Sequence, residues 1–179
     1  MMRVIGLAGW SGAGKTTLLV RLIPELIARG IRVSTLKRAH HAFEIDKPGK
    51  DSFRHREAGA HEVLIASSRR VALVQELRGA PEPTLADLLR RLSPIDLVIV
   101  EGFKSERHPK IEIHRAANEK PYLYGERPGI VALATDAPPP AEFAPPVAHL
   151  DDVPAIADLA LKLAEPLDAL LVKLSPAAR

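Results

Sequence analysis

The chain has 179 residues, of which 46% are hydrophobic and 26% charged, and its formal net charge is +3. This composition predicts one soluble domain over residues 1–179, and the lack of cysteine excludes disulfides and thiolate metal sites. No basic run exceeds two residues and no apolar run approaches the roughly 18 residues of a membrane span, so we predict a cytoplasmic protein that binds neither nucleic acid nor membrane.

The first half of the chain alternates between strand and helix patterns. A short apolar run before a glycine predicts a buried strand at 4–8. Leucines and isoleucines at helical spacing predict a helix at 16–29, which Gly30 ends. The next predicted elements are a strand at 31–36, a polar loop at 37–50, a helix at 52–60 and strands at 63–66 and 71–75.

The second half continues the same alternation. The predicted elements are a helix from 84 to 92, strands at 97–100, 111–114 and 130–134, a proline-rich surface connection at 137–146, and a helix at 153–171 that Pro166 interrupts. Strands alternating with helices predict an α/β fold, a mostly parallel sheet flanked by helices. The region 69–76 is expected to add an antiparallel edge.

The stretch GWSGAGKT, residues 9–16, fits the pattern G-x-x-x-x-G-K-[ST] and lies between a predicted strand and a predicted helix. In this pattern backbone N–H groups and the helix N-terminus bind phosphate oxygens. Lys15 is expected to reach the β- and γ-phosphates, the Thr16 hydroxyl to bind Mg²⁺ and Thr17 to contact the α-phosphate. The predicted nucleotide-binding residues are Gly9, Ser11, Gly12, Ala13, Gly14, Lys15, Thr16 and Thr17. A glycine-rich turn with a surface lysine is the alternative.

Two carboxylates flank the strongest predicted strand, Asp96 before it and Glu101 after it. Ligands of open α/β sheets bind beyond the carboxyl ends of the strands. We therefore predict that Glu101 is the catalytic partner of Lys15, acting on Mg²⁺ or on the attacking water, and that Asp96 is structural. An exposed loop carboxylate is the alternative for Glu101.

Asp136 follows another predicted strand and is expected at the same edge of the sheet. Its carboxylate is predicted to accept hydrogen bonds from the N1–H and N2–H₂ groups of guanine. A turn-forming aspartate before the proline-rich connection is the alternative.

The polar loop at 37–50 and the start of the next helix hold further candidates. His40 and His41 are possible metal ligands, and Asp46 and Asp51 possible outer partners of Mg²⁺ or water. A solvated loop and a helix cap are the alternatives. Four lysines are expected either to gather at the same edge as an anion site or to be solvated: Lys37, Lys50, Lys104 and Lys110.

Several stretches together resemble the molybdopterin-guanine dinucleotide biosynthesis protein B (MobB) family. They are AGWSGAGKTTLL, RGIRVSTLKRAHHAFEIDKPGKDSFRHREAGA, DLVIVEGFK followed by PKIEIHR, and VALATD, and they cover most of Gly6–Asp136. The resemblance implies a P-loop GTPase-like fold, a homodimer, and GTP binding with weak hydrolysis. It also implies that residues 12–17 bind phosphate and Mg²⁺ and that Glu101 lies near the metal.

The same resemblance implies an accessory role beside the nucleotidyltransferase MobA, which joins GMP to molybdopterin. Direct binding of molybdopterin is left open, and the chain lacks the N-K-x-D base motif of ordinary GTPases. Two other functions are also open from the residues alone. One is a non-hydrolysing nucleotide-dependent adaptor. The other is a P-loop small-molecule kinase, for which the candidate lid arginines are Arg54, Arg56, Arg107 and Arg115.

Overall fold

The computed structural model of the chain describes residues 1–39 and 44–175. The chain divides into two compact units. The main unit comprises Met1–Arg38 and Leu85–Arg179, and the inserted unit comprises Ala39–Thr84. The single domain expected for residues 1–179 stays a prediction, and the candidate ligands His40 and His41 lie outside the described residues.

Nine strands and five helices are found in the described part of the chain, together with a short 3₁₀ helix at Ala116–Asn118. In chain order they are β1 (Arg3–Ala8), α1 (Lys15–Ala28), β2 (Val33–Lys37), α2 (Asp51–Glu57), β3 (Glu62–Ala66), β4 (Val71–Gln75), α3 (Leu85–Arg90), β5 (Leu97–Glu101), β6 (Lys110–His114), β7 (Ile130–Thr135), β8 (Val147–His149), α4 (Val153–Leu163), β9 (Glu165–Pro166) and α5 (Leu167–Leu174).

The main unit is built on a sheet with the strand order β2-β5-β1-β6-β7-β8, in which all neighbouring strands run parallel. The two-residue strand β9 pairs antiparallel with β1. Alternate residues of β1 point to opposite faces, so Ile5 packs in a core with α1 and α4, whereas Val4 packs in a core with α3 and α5. This arrangement confirms the predicted mostly parallel sheet flanked by helices.

The inserted unit contains α2 and a two-stranded antiparallel sheet formed by β3 and β4. The expected antiparallel pairing of region 69–76 is found, with β4 paired to β3 in a two-stranded sheet of its own and not at an edge of the main sheet. The edge strands of the main sheet, β2 and β8, are both parallel to their neighbours. Arg56 ties the inserted unit together through ion pairs with Glu44, Asp46 and Glu76.

The C-terminal region follows the proline pattern of the sequence. Asp152 caps α4 by accepting a hydrogen bond from the Ala155 N–H at 3.0 Å, and Pro154 lies in the first turn, where no N–H is needed. Pro166 separates α4 from α5, as expected, and lies in β9. No helix of the described residues is long and apolar enough to cross a membrane.

Strand β6 lies in the middle of the sheet and carries buried polar residues. Lys110 and Glu112 are at most 1% exposed, so the expectation that Lys110 lies at the sheet edge or in solvent is wrong. The Lys110 Nζ donates hydrogen bonds to three backbone carbonyls, those of Glu106, His108 and Pro128. The Glu112 carboxylate accepts hydrogen bonds from two backbone N–H groups, at 2.6 and 3.0 Å. These charged groups therefore hold loop backbone rather than ligand.

Candidate phosphate-binding site

The register of the parallel strands brings the predicted site residues together. Glu101, the last residue of β5, pairs with Leu7 of β1 on one side and with Lys37 of β2 on the other. Residues 9–14, which follow β1 and lead into α1, are called the phosphate loop; with Lys15 and Thr16, the first residues of α1, they form the stretch 9–16 that is predicted to bind phosphate. Between this loop and β5 lies a cavity of about 350 Å³, lined by Ser11, Gly12, Gly14, Lys15, Thr16, Thr17 and Glu101. Seven predicted residues thus share one cavity.

Two glycines of the phosphate loop are required by its geometry. A Cβ atom on Gly9 would lie 2.5 Å from the carbonyl oxygen of Ile113, so a side chain cannot be accommodated there. Gly14 is the residue before α1 and has a φ of 90°, in the left-handed region that favours glycine. No side chain of the described residues caps α1, so the N–H groups of its first turn are left to bind an anion.

Lys15 lies at the start of α1 with its amine against the loop. Its Nζ donates hydrogen bonds to the carbonyl oxygens of Gly9 at 3.1 Å and Trp10 at 2.9 Å. Burial lowers the pKa of Lys15, the nearby charges of Lys104 and Lys37 lower this pKa further, and Glu101 raises it. The charges that act on Lys15 are thus two lysines and one carboxylate, a positive balance that favours an anion.

Glu101 and Thr16 are the oxygen ligands expected for Mg²⁺. Both line the cavity, and the Glu101 side chain is only 13% exposed, with its Oε2 at 3.7 Å from the Lys37 Nζ. A hydroxyl and a carboxylate are the donors that Mg²⁺ takes alongside phosphate oxygens, so these residues fit the ion. Asp96 lies at the opposite end of β5 and is bound by Arg32, which lowers the pKa of the Asp96 carboxyl to about 2. Its predicted structural role stays a prediction, which the pairing with Arg32 favours.

The segment that follows β6 lies against the phosphate loop, and the sequence did not predict this contact. The Asn118 Nδ2 donates a hydrogen bond to the Ser11 carbonyl oxygen at 3.1 Å, and the Trp10 Nε1 donates one to the Pro121 carbonyl oxygen at 2.7 Å. Lys104 lies over the Trp10 ring, with its Nζ 5.3 Å from the ring centroid. No motif of the sequence marks Asn118, because its position depends on β6 lying next to β1.

Asp136 follows β7 and contacts the same segment. Its Oδ1 accepts a hydrogen bond from the Ala116 N–H at 2.7 Å, and its Oδ2 lies 3.5 Å from an Nη atom of Arg115. The carboxylate is thus engaged by protein groups at the carboxyl edge of the sheet. Its expected recognition of guanine stays a prediction.

The inserted unit has a larger cavity, of about 610 Å³, which its own residues line. Arg56 and Glu76 belong to that lining and are paired with each other. Asp46 accepts hydrogen bonds from the Ser52 hydroxyl and the Lys47 N–H, which help to lower the pKa of its carboxyl, although burial opposes this. Asp51 is the first residue of α2. Roles of Asp46 and Asp51 toward Mg²⁺ stay predictions.

A parallel sheet with helices on both faces, and a glycine-rich loop between its central strand and the first helix, define a nucleotide-binding fold of the P-loop NTPase type. The sequence model of the family described as "Molybdopterin guanine dinucleotide synthesis protein B" matches residues 4–136. The chain belongs to this MobB family. Membership gives it an accessory role in molybdenum cofactor biosynthesis.

Two relatives are similar to almost the whole chain. A molybdopterin-guanine dinucleotide biosynthesis adapter protein of Haemophilus influenzae is 44% identical over 158 residues, which are 87% of this chain and 85% of that protein. The protein of the same description from Escherichia coli is 41% identical over 165 residues, 90% of this chain and 93% of that protein. A crystal structure of molybdopterin-guanine biosynthesis protein B matches with a TM-score of 0.68 and 28% identity, over 89% of this chain and 99% of that chain.

Proposed function

We propose that this protein binds GTP with Mg²⁺ in the cavity of the phosphate loop and assists a MobA-type guanylyltransferase in joining GMP to molybdopterin. The observation that carries the proposal is the cavity itself, in which a glycine loop, Lys15, Thr16 and Glu101 meet. The relatives' description as adapter proteins supports an action through a partner enzyme. The proposal places the protein in the cytoplasm, where GTP is available.

Each group in the cavity has a defined task in this proposal. Loop N–H groups and Lys15 bind the phosphates, while Thr16 and Glu101 hold the metal ion. Mg²⁺ supplies neutralising charge to the phosphate oxygens when it is bound. Lys37 balances the charge of Glu101 across the 3.7 Å that separates their side chains. The hydrolysis that we propose for this site is weak.

We further propose a homodimer. One face of the inserted sheet presents Leu64, Val71 and Leu73 to solvent, with 67%, 67% and 53% of these residues exposed. Leu64 and Leu73 are direct cross-strand partners. A two-stranded sheet is marginally stable by itself, so an apolar face on it favours a covering partner, which we take to be a second copy of the chain. Sedimentation should give twice the chain mass of 19.4 kDa, and a monomer at working concentration contradicts the dimer.

Reconstitution tests the proposed function directly. MobA, GTP, Mg²⁺ and molybdopterin are combined with and without this protein, and the guanylylated cofactor is measured. The yield should rise with the wild-type protein and should not rise with Lys15→Ala, because the variant lacks the phosphate-binding amine. If neither protein changes the yield and the wild type phosphorylates a small acceptor instead, the kinase is the correct function.

Glu101→Gln should lower GTP hydrolysis by about tenfold or more while leaving GTP affinity nearly unchanged. A charge that acts mainly in the transition state lowers turnover selectively, and a tenfold change corresponds to about 1.4 kcal/mol. Loss of the negative charge also removes repulsion between Glu101 and the phosphates, which protects affinity. Single-turnover hydrolysis and calorimetry measure the two quantities.

Asp96→Asn is the matched control for this prediction. Asp96 lies on the same strand but is bound to Arg32 at the other end of it. Its substitution should change neither hydrolysis nor affinity. A larger loss of hydrolysis in Asp96→Asn than in Glu101→Gln contradicts the assignment of Glu101.

A further inference from the structure

We propose that Arg115 is an additional nucleotide-contacting residue, whose guanidinium binds the phosphates held by the loop at 9–14, and that Asp136 is its positioning residue. This inference rests on the proposed nucleotide site and adds a ligand group to it. It gives Asp136 a different task from the recognition of guanine.

The sheet topology brings Arg115 to the phosphate loop. Strand β6 lies between β1 and β7, and all three run in the same direction. The loop follows β1, Arg115 follows β6 and Asp136 follows β7, so the three meet at the carboxyl edge. The pairing of His114 with Thr135 sets Arg115 and Asp136 side by side.

The guanidinium lies close to the backbone where α1 begins. Its Nη2 and Nε atoms are 3.6 and 3.7 Å from the position that a Cβ atom of Gly14 would occupy. Gly14 is the residue before the first turn of α1, whose N–H groups bind an anion in the proposed site. A phosphate bound at these N–H groups therefore lies within reach of Arg115.

Arg115 has hydrogen-bonding capacity left for a ligand. Within the described part of the chain its side chain donates to one acceptor, Asp136, over a long distance of 3.5 Å. A guanidinium has five N–H donors, and its planar fork matches two oxygens of a phosphate. The side chain is 39% exposed, so these donors are accessible.

Asp136 contacts Nη1 of the guanidinium, whereas Nη2 and Nε are the atoms near Gly14. Its Oδ1 fixes the backbone of Ala116 at 2.7 Å, next to Arg115 in the chain, and its Oδ2 faces the guanidinium. One carboxylate thus orients both the segment and its charged side chain.

The charges around the loop also support a phosphate contact from this direction. Lys37 and Glu101 come from β2 and β5, on one side of β1, whereas Arg115 comes from β6, on the other side. Without Arg115, the cations near the bound phosphates would be Lys15 and those of the β5 side. Arg115 completes a site in which positive charge approaches a triphosphate from both sides.

The test compares three ligands with Mg²⁺ by calorimetry: GTP, ATP and inorganic tripolyphosphate, which has no base. Arg115→Ala should weaken all three by a similar factor of about tenfold or more, as expected for a hydrogen bond to a charged group. Arg115→Lys should recover part of the loss, because it keeps the charge but not the fork. Asp136→Asn should weaken all three by a smaller common factor and leave the ratio of GTP to ATP affinity unchanged.

Arg21→Ala is the matched control, since Arg21 also pairs with an aspartate, Asp151, but on the exposed surface of α1. It should bind all three ligands as the wild type does. Unchanged tripolyphosphate affinity in Arg115→Ala overturns the proposal. So does an Asp136→Asn variant that loses GTP affinity alone, because Asp136 then recognises guanine. If the wild type binds neither GTP nor tripolyphosphate, the proposed function itself fails.

Discussion

Lys15→Ala should lower the affinity for GTP with Mg²⁺ by about 100-fold or more, which corresponds to about 2.8 kcal/mol. The Lys15 amine contacts the phosphate loop directly, because it donates hydrogen bonds to the carbonyl oxygens of Gly9 and Trp10. Hydrogen bonds between charged partners are the strong ones, and in a half-buried cavity they are screened less than in water. Their loss is therefore expected to dominate the binding energy.

The fold should survive this substitution. The Lys15 side chain is only partly buried, lines a cavity and belongs to none of the three hydrophobic clusters of the main unit. Thermal unfolding should shift by only a few degrees, as expected for a loss of about 1 kcal/mol. A variant that loses GTP binding together with its circular dichroism spectrum would show a folding defect and would not support the assignment.

Fluorescence provides a convenient measurement, because Trp10 is the single tryptophan and lies in the phosphate loop. GTP should change its emission in the wild type and not in Lys15→Ala. Lys162→Ala, which removes a lysine from the exposed surface of α4, is the matched control and should bind as the wild type does. Equal GTP affinity in Lys15→Ala and the wild type contradicts the phosphate-loop assignment.

Those parts of the site that lie in one continuous stretch could be predicted from the sequence. The phosphate loop needs a strand before it and a helix after it, and the spacing of apolar residues in 4–29 predicts both. Glu101 could be predicted because the carboxyl end of a buried strand is enough to place it at the ligand edge. The same rule assigns Asp96 to the opposite end of this strand, away from the ligand edge.

Contacts that cross between strands could not be predicted in this way. Arg115 meets Gly14 and Asp136 only because β6 lies between β1 and β7, and strand order is not encoded in local periodicity. From the sequence, Arg115 is only one of four loop arginines, and nothing in the sequence indicates that it lies near the phosphate loop. In the structure, another of these, Arg56, is occupied by carboxylates of the inserted unit.

The burial of both faces of β6 also could not be predicted from its local residue pattern. Its alternation of Lys, Ile, Glu, Ile and His is typical of a strand with one solvated face. The structure buries the polar face as well, because loop backbone supplies partners for Lys110 and Glu112. Similarly, the sequence predicts strands at β3 and β4, but it does not show that they pair with each other in a second sheet.

Lys110→Met should destabilise the protein by about 2–3 kcal/mol at pH 7, measured by urea unfolding. Methionine keeps the length of the stem but removes the donor for three backbone carbonyls, of which that of His108 is bound at 3.0 Å and that of Pro128 at 2.8 Å. A buried acceptor without a donor costs about 1–3 kcal/mol. Part of the total cost of the three carbonyls is offset, because the variant no longer has to bury the charge of Lys110.

Lys173→Met is the matched control for this variant. Lys173 pairs with Glu165 on the surface, with 56% of its side chain exposed, and an exposed pair contributes about 0–1 kcal/mol. The same chemical change should therefore cost little there. Equal effects of the two substitutions contradict a structural role for the buried amine.

The stability difference between the wild type and Lys110→Met is also expected to depend on pH. Burial lowers the pKa of Lys110 from 10.5 to about 8, although the charge of Glu106 raises it. The neighbouring His108 is neutral throughout this range, because burial and Lys110 lower its pKa to about 3. Between pH 8 and 10.5 the unfolded wild type holds a proton that the folded protein has lost, so its stability rises with pH relative to Lys110→Met. Other groups titrate alike in both proteins and cancel in the difference. The gap in unfolding free energy should therefore widen from pH 8 to 10.5, and a gap that stays constant or narrows contradicts a buried amine on β6.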